Sequence, residues 1–409
     1  MTDQVNTDPS KSGLSGLLVL EAVSSPGASF AASLLADFGA TVYVCEPPGT
    51  GSPLRRLAGA DGRWWQVLGR NKRSVAIDAT DPAAEDSMRR LLGIADLLIV
   101  DAGPLAEDGW RRLAKTVDSP PIVVDLFATG ADDPHGWGWS SRAELTSAAT
   151  GMMALTGLAG DNPVLPEVPI AEYLAGTLAA MRALAALRQR SLNSSGAVDL
   201  SIGLHEAVQR MIEWQVPVAS ALGRAETRNG NSFPMNAGIS NMHRTRDGKY
   251  VAISAATQAT AVRVLEMVGG AELRNHPRFA TVAARSNGMK ELYALMDKWF
   301  EERTLAEALA LAEQYGVVAG AIYSVDDILA DPHMNARGNI ITITGPAGPV
   351  SMPNVVPNIS GLQHIIGHVG PSLGEHTEEA LCKAGIGSAS RSAAMGGVTN
   401  TADYNRRRK

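Results

Sequence analysis

What most constrains this chain is the rhythm of its first half. GLLVLEAV (16–23) is an apolar run of strand length, AASLLADFGA (31–40) a helical pattern and TVYVCEPPG (41–49) a second strand. SVAID (74–78), PAAEDSMRRLLGIA (82–95), DLLIVDAG (96–103) and SPPIVVDLF (119–127) continue as strand, helix, strand and strand. Units of this kind feed parallel sheets with helices on both faces, so the first 200 of the 409 residues are expected to form one doubly wound α/β domain. A chain of this length exceeds the size of a single hydrophobic core, and a second domain is expected.

The composition shift comes after the long helical pattern that ends near Gly223. RAETRNGNSFPMNAG (224–238) is a polar linker, RTRDGKYVAISA (244–255) a hairpin arm turning at Asp247 and Gly248, and helical patterns follow to about Tyr315 before VVAGAIYS (317–324) reads as a strand. Residues 13–223 are therefore assigned to the large domain and 224–330 to the linker and a smaller α+β domain. Residues 331–387 are short strands and turns closed by the helix GEHTEEALCKAGI (374–386). Residues 1–12 are expected to be mobile, and the small, polar tail 388–409 reads as disorder or as an arm on a partner subunit.

Charged residues are 19% and hydrophobic ones 45%, with 41 Gly and 22 Pro, which is the usage of a globular α/β chain. A net charge of −6 argues against nucleic acid as the main partner but leaves room for a local basic patch. Cys45 and Cys382 stand without CxxC or Cys/His spacing, so no metal site or disulfide framework is expected. The N-terminus has no apolar core with a basic lead, and no apolar run approaches the roughly 18 residues that span a bilayer. A cytoplasmic protein with no membrane partner is the expectation.

The chemistry centres on Pro166–Arg190. An extended lead ends at Pro169, and Leu174, Leu178, Met181, Leu184, Ala185 and Leu187 recur at helical spacing, with Arg188 and Arg190 in the last turn. Glu172 then lies at the helix N-terminus, where free N–H groups and the macrodipole favour an ionised carboxylate. Such a carboxylate is a possible nucleophile, although acids are common in first turns. Ser24, Ser25, Pro26 and Gly27 form the first strand-to-helix loop, where backbone amides can meet a phosphate; no GxGxxG or P-loop spacing accompanies them. Arg70, Lys72 and Arg73 precede a strand, and two readings stand open, a phosphate clamp and a solvated charge cluster. Asn71 is read either as a ligand or as a turn residue, and Glu46 and Arg55 either as ligands or as an exposed ion pair. The stretch 131–157 holds His135, Trp137, Trp139 and Arg142 in what reads as an ordered loop over a site. Trp64 and Trp65 join that set either as a pocket for an apolar acid or as packing. No GxSxG elbow is present, so a serine hydrolase has no support.

Several stretches resemble one family. LVLEAVSSPGASFAASLLADFGATVYVCEPPGTGSPLR (18–55) is similar to the opening of the class III CoA-transferases, the carnitine CoA-transferase and formyl-CoA transferase family. GRNKRSVAID (69–78), GAVDLSIGLHEAV (196–208), HPRFAT (276–281) with Asn287, GVVAGAIYSVDDILADPHMNARG (316–338) and GEHT (374–377) match its later signatures in order. The resemblance implies a Rossmann-like large domain built from both chain ends, a small domain from the middle, and two subunits threaded through each other as interlocked rings. It implies coenzyme A or an acyl-CoA as substrate together with a carboxylic acid, and no metal. CoA would lie across the large domain near Ser25, Pro26, Glu46, Arg55, Arg70, Asn71, Lys72, Arg73, Asp101 and Arg142. An Asp carboxylate of the family attacks the acyl-CoA carbonyl to give a mixed anhydride, and the thiolate then passes through an enzyme thioester to the acceptor acid.

Three positions depart from the family pattern. The nucleophile position holds Glu172, one methylene longer than Asp. Asp101, Ala102, Gly103 and Pro104 stand where an Asn-Phe-Arg-Pro-Gly run is usual, and Arg142 with Ala143 replaces a Tyr-Asp pair. Racemases of the superfamily carry a His near Arg142 and an Asp near the central helix; both are missing here, which argues against that activity. The resemblance leaves three readings: an active transferase using Glu172, a subunit of a heteromer whose paralogue carries the nucleophilic Asp, as in the succinyl-CoA:benzylsuccinate CoA-transferases, and a CoA-binding protein without turnover.

Overall fold

The computed structural model describes residues 12–57, 62–101, 109–127, 143–193, 199–231, 239–362 and 365–387. Within these, six strands, β1 (Leu18–Ala22), β2 (Thr41–Glu46), β3 (Arg73–Ala76), β4 (Leu97–Asp101), β5 (Ile122–Phe127) and β6 (Asp199–Gly203), form one sheet in the order β3-β2-β1-β4-β5-β6. Every pairing is parallel. The chain winds outward from β1 in one direction and from β4 in the other, so the switch point lies between β1 and β4, where the carboxyl ends of open α/β sheets leave a crevice.

Parity along the strands divides the core. Val19, Val42, Val44, Leu97, Ile99, Ile122 and Val124 face a layer that holds the first helix, Pro26–Asp37, and the central helix, Ile170–Asn193. Leu18, Leu20, Tyr43, Leu98, Val100 and Val123 face the layer built on Glu85–Ile94, Trp110–Ala114 and the closing helix Thr377–Lys383. Ala380 and Leu381 of the closing helix are buried in that second layer, which ties the returning C-terminal segment into the large unit. The turn 374–377 seals the edge strand β3: Gly374 N donates to Ser74 Oγ, His376 N to Ser74 O, and Ala76 N to Thr377 Oγ1.

The central helix spans nearly the residues its pattern predicts, but its buried face differs. Ala171, Ala175, Gly176, Ala179, Ala180, Ala183 and Ala186 are buried, whereas Met181 is 62% exposed and Leu184 lies at the surface. The reason is backbone proximity to the first helix. A Cβ on Gly176 would lie 2.3 Å from the Gly27 carbonyl oxygen, and one on Gly27 would lie 2.6 Å from that of Glu172. Helices this close accept only small residues along the seam, so the leucines are pushed to its margins. By length and composition this helix also reaches what a membrane span requires, contrary to the expectation that no stretch would. One face of it is buried through alanines, while Met181, Leu184 and Leu192 stand exposed.

The described residues divide into two compact units, one holding those that fall within 12–153, 165–225 and 337–387 and the other those within 154–164 and 226–336. The helix expected to run to Gly223 is broken into Leu204–Gln209 and Gln215–Leu222, the latter ended by Gly223 at φ 65. In the second unit β7 (Ile239–Arg244), β8 (Tyr250–Ala255) and β9 (Val318–Ala321) form an antiparallel sheet. Helices Gln258–Arg274, Val282–Glu301 and Leu305–Tyr315 cover it, burying Ile253, Leu265, Phe279, Met296 and Phe300. The turn at Asp247 and Gly248 closes the β7–β8 hairpin, with Thr245 Oγ1 donating to Asp247 Oδ1. Two further strands, β10 (Ile340–Gly345) and β11 (Gly348–Pro353), pair as a hairpin in the first unit.

Candidate active site

The loop that follows β1 stands at the switch point. Ser25 caps the first helix, its Oγ accepting from Ala28 N, and Pro26 occupies the first turn, where its missing N–H costs nothing. Asp101, at the end of neighbouring β4, reaches across: its Oδ2 accepts from Ser24 N at 2.8 Å and Ser25 N at 2.6 Å. These are amides that the sequence offered to a phosphate. In the structure the chain's own carboxylate engages them, so Asp101 acts as an anchor for the loop.

Glu172 belongs to the central helix, whose backbone at this residue meets Gly27 of the first helix. It lies in the first turn of the central helix, half-buried, on the wall of a cavity of about 150 Å³ lined also by Ser147, Met152 and residues 165–171. Beside it Tyr173 fixes the register: its ring meets Phe30 edge-on at 4.4 Å, and its hydroxyl accepts from Trp64 Nε1. Burial, with a contribution from the Glu172 charge, pushes the Tyr173 phenol above its ordinary range. Tyr173 therefore remains a neutral anchor that holds the helix start against the first helix. Trp65 is packing, buried with its Nε1 on Pro371 O and the Arg55 guanidinium 4.2 Å over its ring.

The basic segment 70–73 has a different place from the one its pattern suggests. Lys72 and Glu21 are both 0% exposed, 2.8 Å apart; Lys72 Nζ also donates to Ser29 O and Oγ, and Ser29 Oγ to Glu21 Oε1. Burial pushes the Lys72 ammonium down and the Glu21 carboxyl up, while each charge pulls the other back toward its ionised form. Arg70 is buried in a two-bond pair with Asp37 at 2.9 and 2.6 Å. Asn71, the one non-glycine described residue at positive φ, holds a turn, donating to Ile365 O and accepting from Gly367 N. Arg73 is the cation left near the surface, paired with Glu379.

The clamp reading thus fails for Lys72 and Arg70, whose polar heads face internal carboxylates rather than solvent. Glu46 and Arg55 do pair, but as a buried carboxylate in a fork: Arg55 Nε donates to Oε2 and Nη2 to Oε1, with Ser52 N and Ser74 Oγ adding two more bonds. This replaces the expected exposed pair with one that ties β2, β3 and the 371 loop together, since Arg55 Nη1 also donates to Pro371 O. Sequence reasoning passed over Glu21 and Asp37, the partners that claim the basic residues, and Ser147 on the cavity wall. An acid embedded in the apolar run of β1 was the available signal for Glu21. Arg142, His135, Trp137, Trp139 and residues 102–104 lie outside the described residues, as do residues 1–11 of the expected mobile segment 1–12 and the tail 388–409, read as disorder or as an arm on a partner. Among the described residues no cluster of three or more His, Cys, Asp or Glu is placed to hold a metal ion.

A doubly wound parallel sheet with a crevice at its switch point and a carboxylate heading a helix beside it is the frame of an α/β enzyme acting at the carboxyl edge of its sheet. A sequence profile for CoA-transferase family III matches residues 14–377. The chain is 34% identical to succinyl-CoA–D-citramalate CoA-transferase of Chloroflexus aurantiacus over 90% of this chain and 92% of that one. It is 30% identical to the succinyl-CoA–L-malate CoA-transferase beta subunit of the same organism over 90% and 93%. Among solved structures, a CAIB/BAIF family protein from Brucella suis superposes with a TM-score of 0.80 at 24% identity, covering 91% of this chain and all of that one. This chain belongs to CoA-transferase family III, and it is an enzyme that transfers CoA between an acyl-CoA and a carboxylic acid.

Proposed function

We propose that Glu172 is the nucleophile of this transferase and that succinyl-CoA is its donor. The observation that carries the reading is the position of Glu172, a first-turn carboxylate on a cavity wall whose backbone is locked against Gly27. In the first step a Glu172 oxygen attacks the thioester carbonyl carbon, the C–S bond breaks, and CoA leaves as thiolate with a mixed anhydride behind. The thiolate then attacks the Glu172 carbonyl, the anhydride C–O bond breaks, and the donor acid leaves as carboxylate. The acceptor carboxylate repeats the two steps in reverse. No proton is gained or lost, so the chemistry asks for positioning and oxyanion stabilisation rather than a general base.

CoA would reach the cavity along the loop of Ser25 and Pro26, with the half-exposed Arg73 and with Arg142 as candidates for its phosphates. The assembly in this reading is a dimer of interlocked chains, supported by the apolar side chains that one chain leaves exposed, Met181, Leu192, Met211 and Leu222. Similarity to a chain named as a beta subunit favours a second reading, that this chain works beside a paralogue. The test of both is to incubate the purified chain with succinyl-CoA and hydroxylamine and to map the product by mass spectrometry. A hydroxamate on Glu172, absent from Glu172→Gln, supports the nucleophile. Turnover without that mark sinks it, and a mark appearing on a co-purified partner's Asp instead makes this chain the supporting half of a heteromer.

A further inference from the structure

Resting on the reading of Glu172 as nucleophile, we infer that Asp101 is a positioning residue for Glu172, acting through the backbone of Ser24–Gly27. Two contacts joined by a short length of chain connect the two carboxylates. Asp101 Oδ2 holds Ser24 N and Ser25 N at 2.8 and 2.6 Å. Ser25 and Pro26 set the start of the first helix. Gly27, the next residue, meets the central helix backbone to backbone, so that even a methyl group on it would lie 2.6 Å from the Glu172 carbonyl oxygen.

No flexible side chain stands in that last contact. A displacement of the loop is passed on to the turn that carries Glu172, because backbone in van der Waals contact cannot absorb it by changing rotamer. The same geometry separates Asp101 from a ligand-binding role. Its Oδ2 faces two N–H groups of its own chain, and those groups are then engaged before any anion arrives. The acid at this position is therefore explained by the loop it holds, and it provides a fixed reference for a nucleophile whose side chain is long.

The test follows exchange of carbon-13-labelled succinate into succinyl-CoA, a full turnover in which succinate itself is the acceptor, so that Glu172 is regenerated and no other acid need be identified. Asp101→Ala is expected to lower kcat by about a hundredfold, the cost of an ångström-scale misplacement, while KM for succinyl-CoA stays near that of the wild type. Asp101→Asn, whose amide oxygen can accept both N–H groups, is expected to recover most of the kcat, and exchange of the Ser24 and Ser25 amides is expected to quicken in Asp101→Ala alone. Wild-type kcat in Asp101→Ala, a rise in KM without loss of kcat, or unchanged amide exchange each overturns the inference. Should Asp101→Ala not fold, Asp101→Glu keeps the charge but moves the acceptor by one methylene. It should show the same loss of kcat, and normal kcat in that variant overturns the inference as well. Failure of the underlying reading is seen separately, as succinate exchange by Glu172→Gln at the wild-type rate.

Discussion

Replacing Lys72 by Met separates a structural role from a ligand-binding one. In the folded chain Lys72 Nζ lies 2.8 Å from Glu21 Oε2 and donates to Ser29 O and Oγ, with both charged side chains wholly buried. Methionine fills much of the same volume but removes the charge and all three contacts. Glu21 is left with one bond, from Ser29 Oγ, and breaking a buried pair from one side costs about 3–5 kcal/mol. Against a total stability of about 5–15 kcal/mol this is a large fraction, and in urea it corresponds to a midpoint shift on the order of 1–2 M. The seven tryptophans provide the fluorescence signal.

The sign with pH follows from Glu21. Burial already raises its carboxyl, and loss of the Lys72 charge removes the main opposing pull, so the folded Lys72→Met protein holds Glu21 protonated to higher pH. A raised carboxyl contributes stability below its unfolded value, about pH 4, and loses it as pH rises through the folded value. The defect should therefore be small in acid and grow toward neutrality, and Glu21→Gln combined with Lys72→Met should recover most of it. The reasoning is refuted if Lys72→Met unfolds at the wild-type midpoint while its affinity for CoA falls, the behaviour of a phosphate ligand.

Three further outcomes follow from the same geometry. Gly176→Ala places a methyl 2.3 Å from the Gly27 carbonyl oxygen, so the helices must separate; a loss of about 1–3 kcal/mol in thermal unfolding and a lower kcat are expected together. Arg55→Lys cannot reproduce the fork on Glu46, and a loss of about 1.5–3 kcal/mol in urea is expected, with Arg55→Ala costing more. Burial pushes the Asp125 carboxyl up to about 7 despite its 2.6 Å pair with Arg111, so wild-type stability should decline from about pH 4 toward neutrality through this group, and Asp125→Asn should flatten that slope in denaturation curves.

The strands of the large unit were legible because each is a compact apolar run bounded by turn residues. The central helix was legible from its period. Which face it buries was not, since the seam is decided by the approach of Gly27 to Gly176, two residues far apart in sequence. The cluster 70–73 misled for a related reason. Three cations side by side read as a clamp until Glu21 and Asp37 are brought to them by the fold, and neither acid has a spacing that announces the pairing. Asp101 stood among the residues expected beside CoA, whereas the parallel pairing of β1 with β4 sets its carboxylate beside the Ser24 and Ser25 amides. The placement of Glu172 in a first helical turn was legible because that pattern is local, but acids are common there, and it was the resemblance to the family that singled this one out.

The most direct measurement of the central claim follows an isotope through Glu172. Turnover of succinyl-CoA with an acceptor acid whose carboxylate carries oxygen-18 should move one heavy oxygen per turnover into the Glu172 carboxylate, because the acceptor's oxygen becomes the bridge of the second anhydride and stays behind when CoA thiolate takes the acyl group. Mass spectrometry of the peptide containing Glu172 should show that label and no other acidic residue should gain it. Turnover that leaves Glu172 unlabelled would contradict the account.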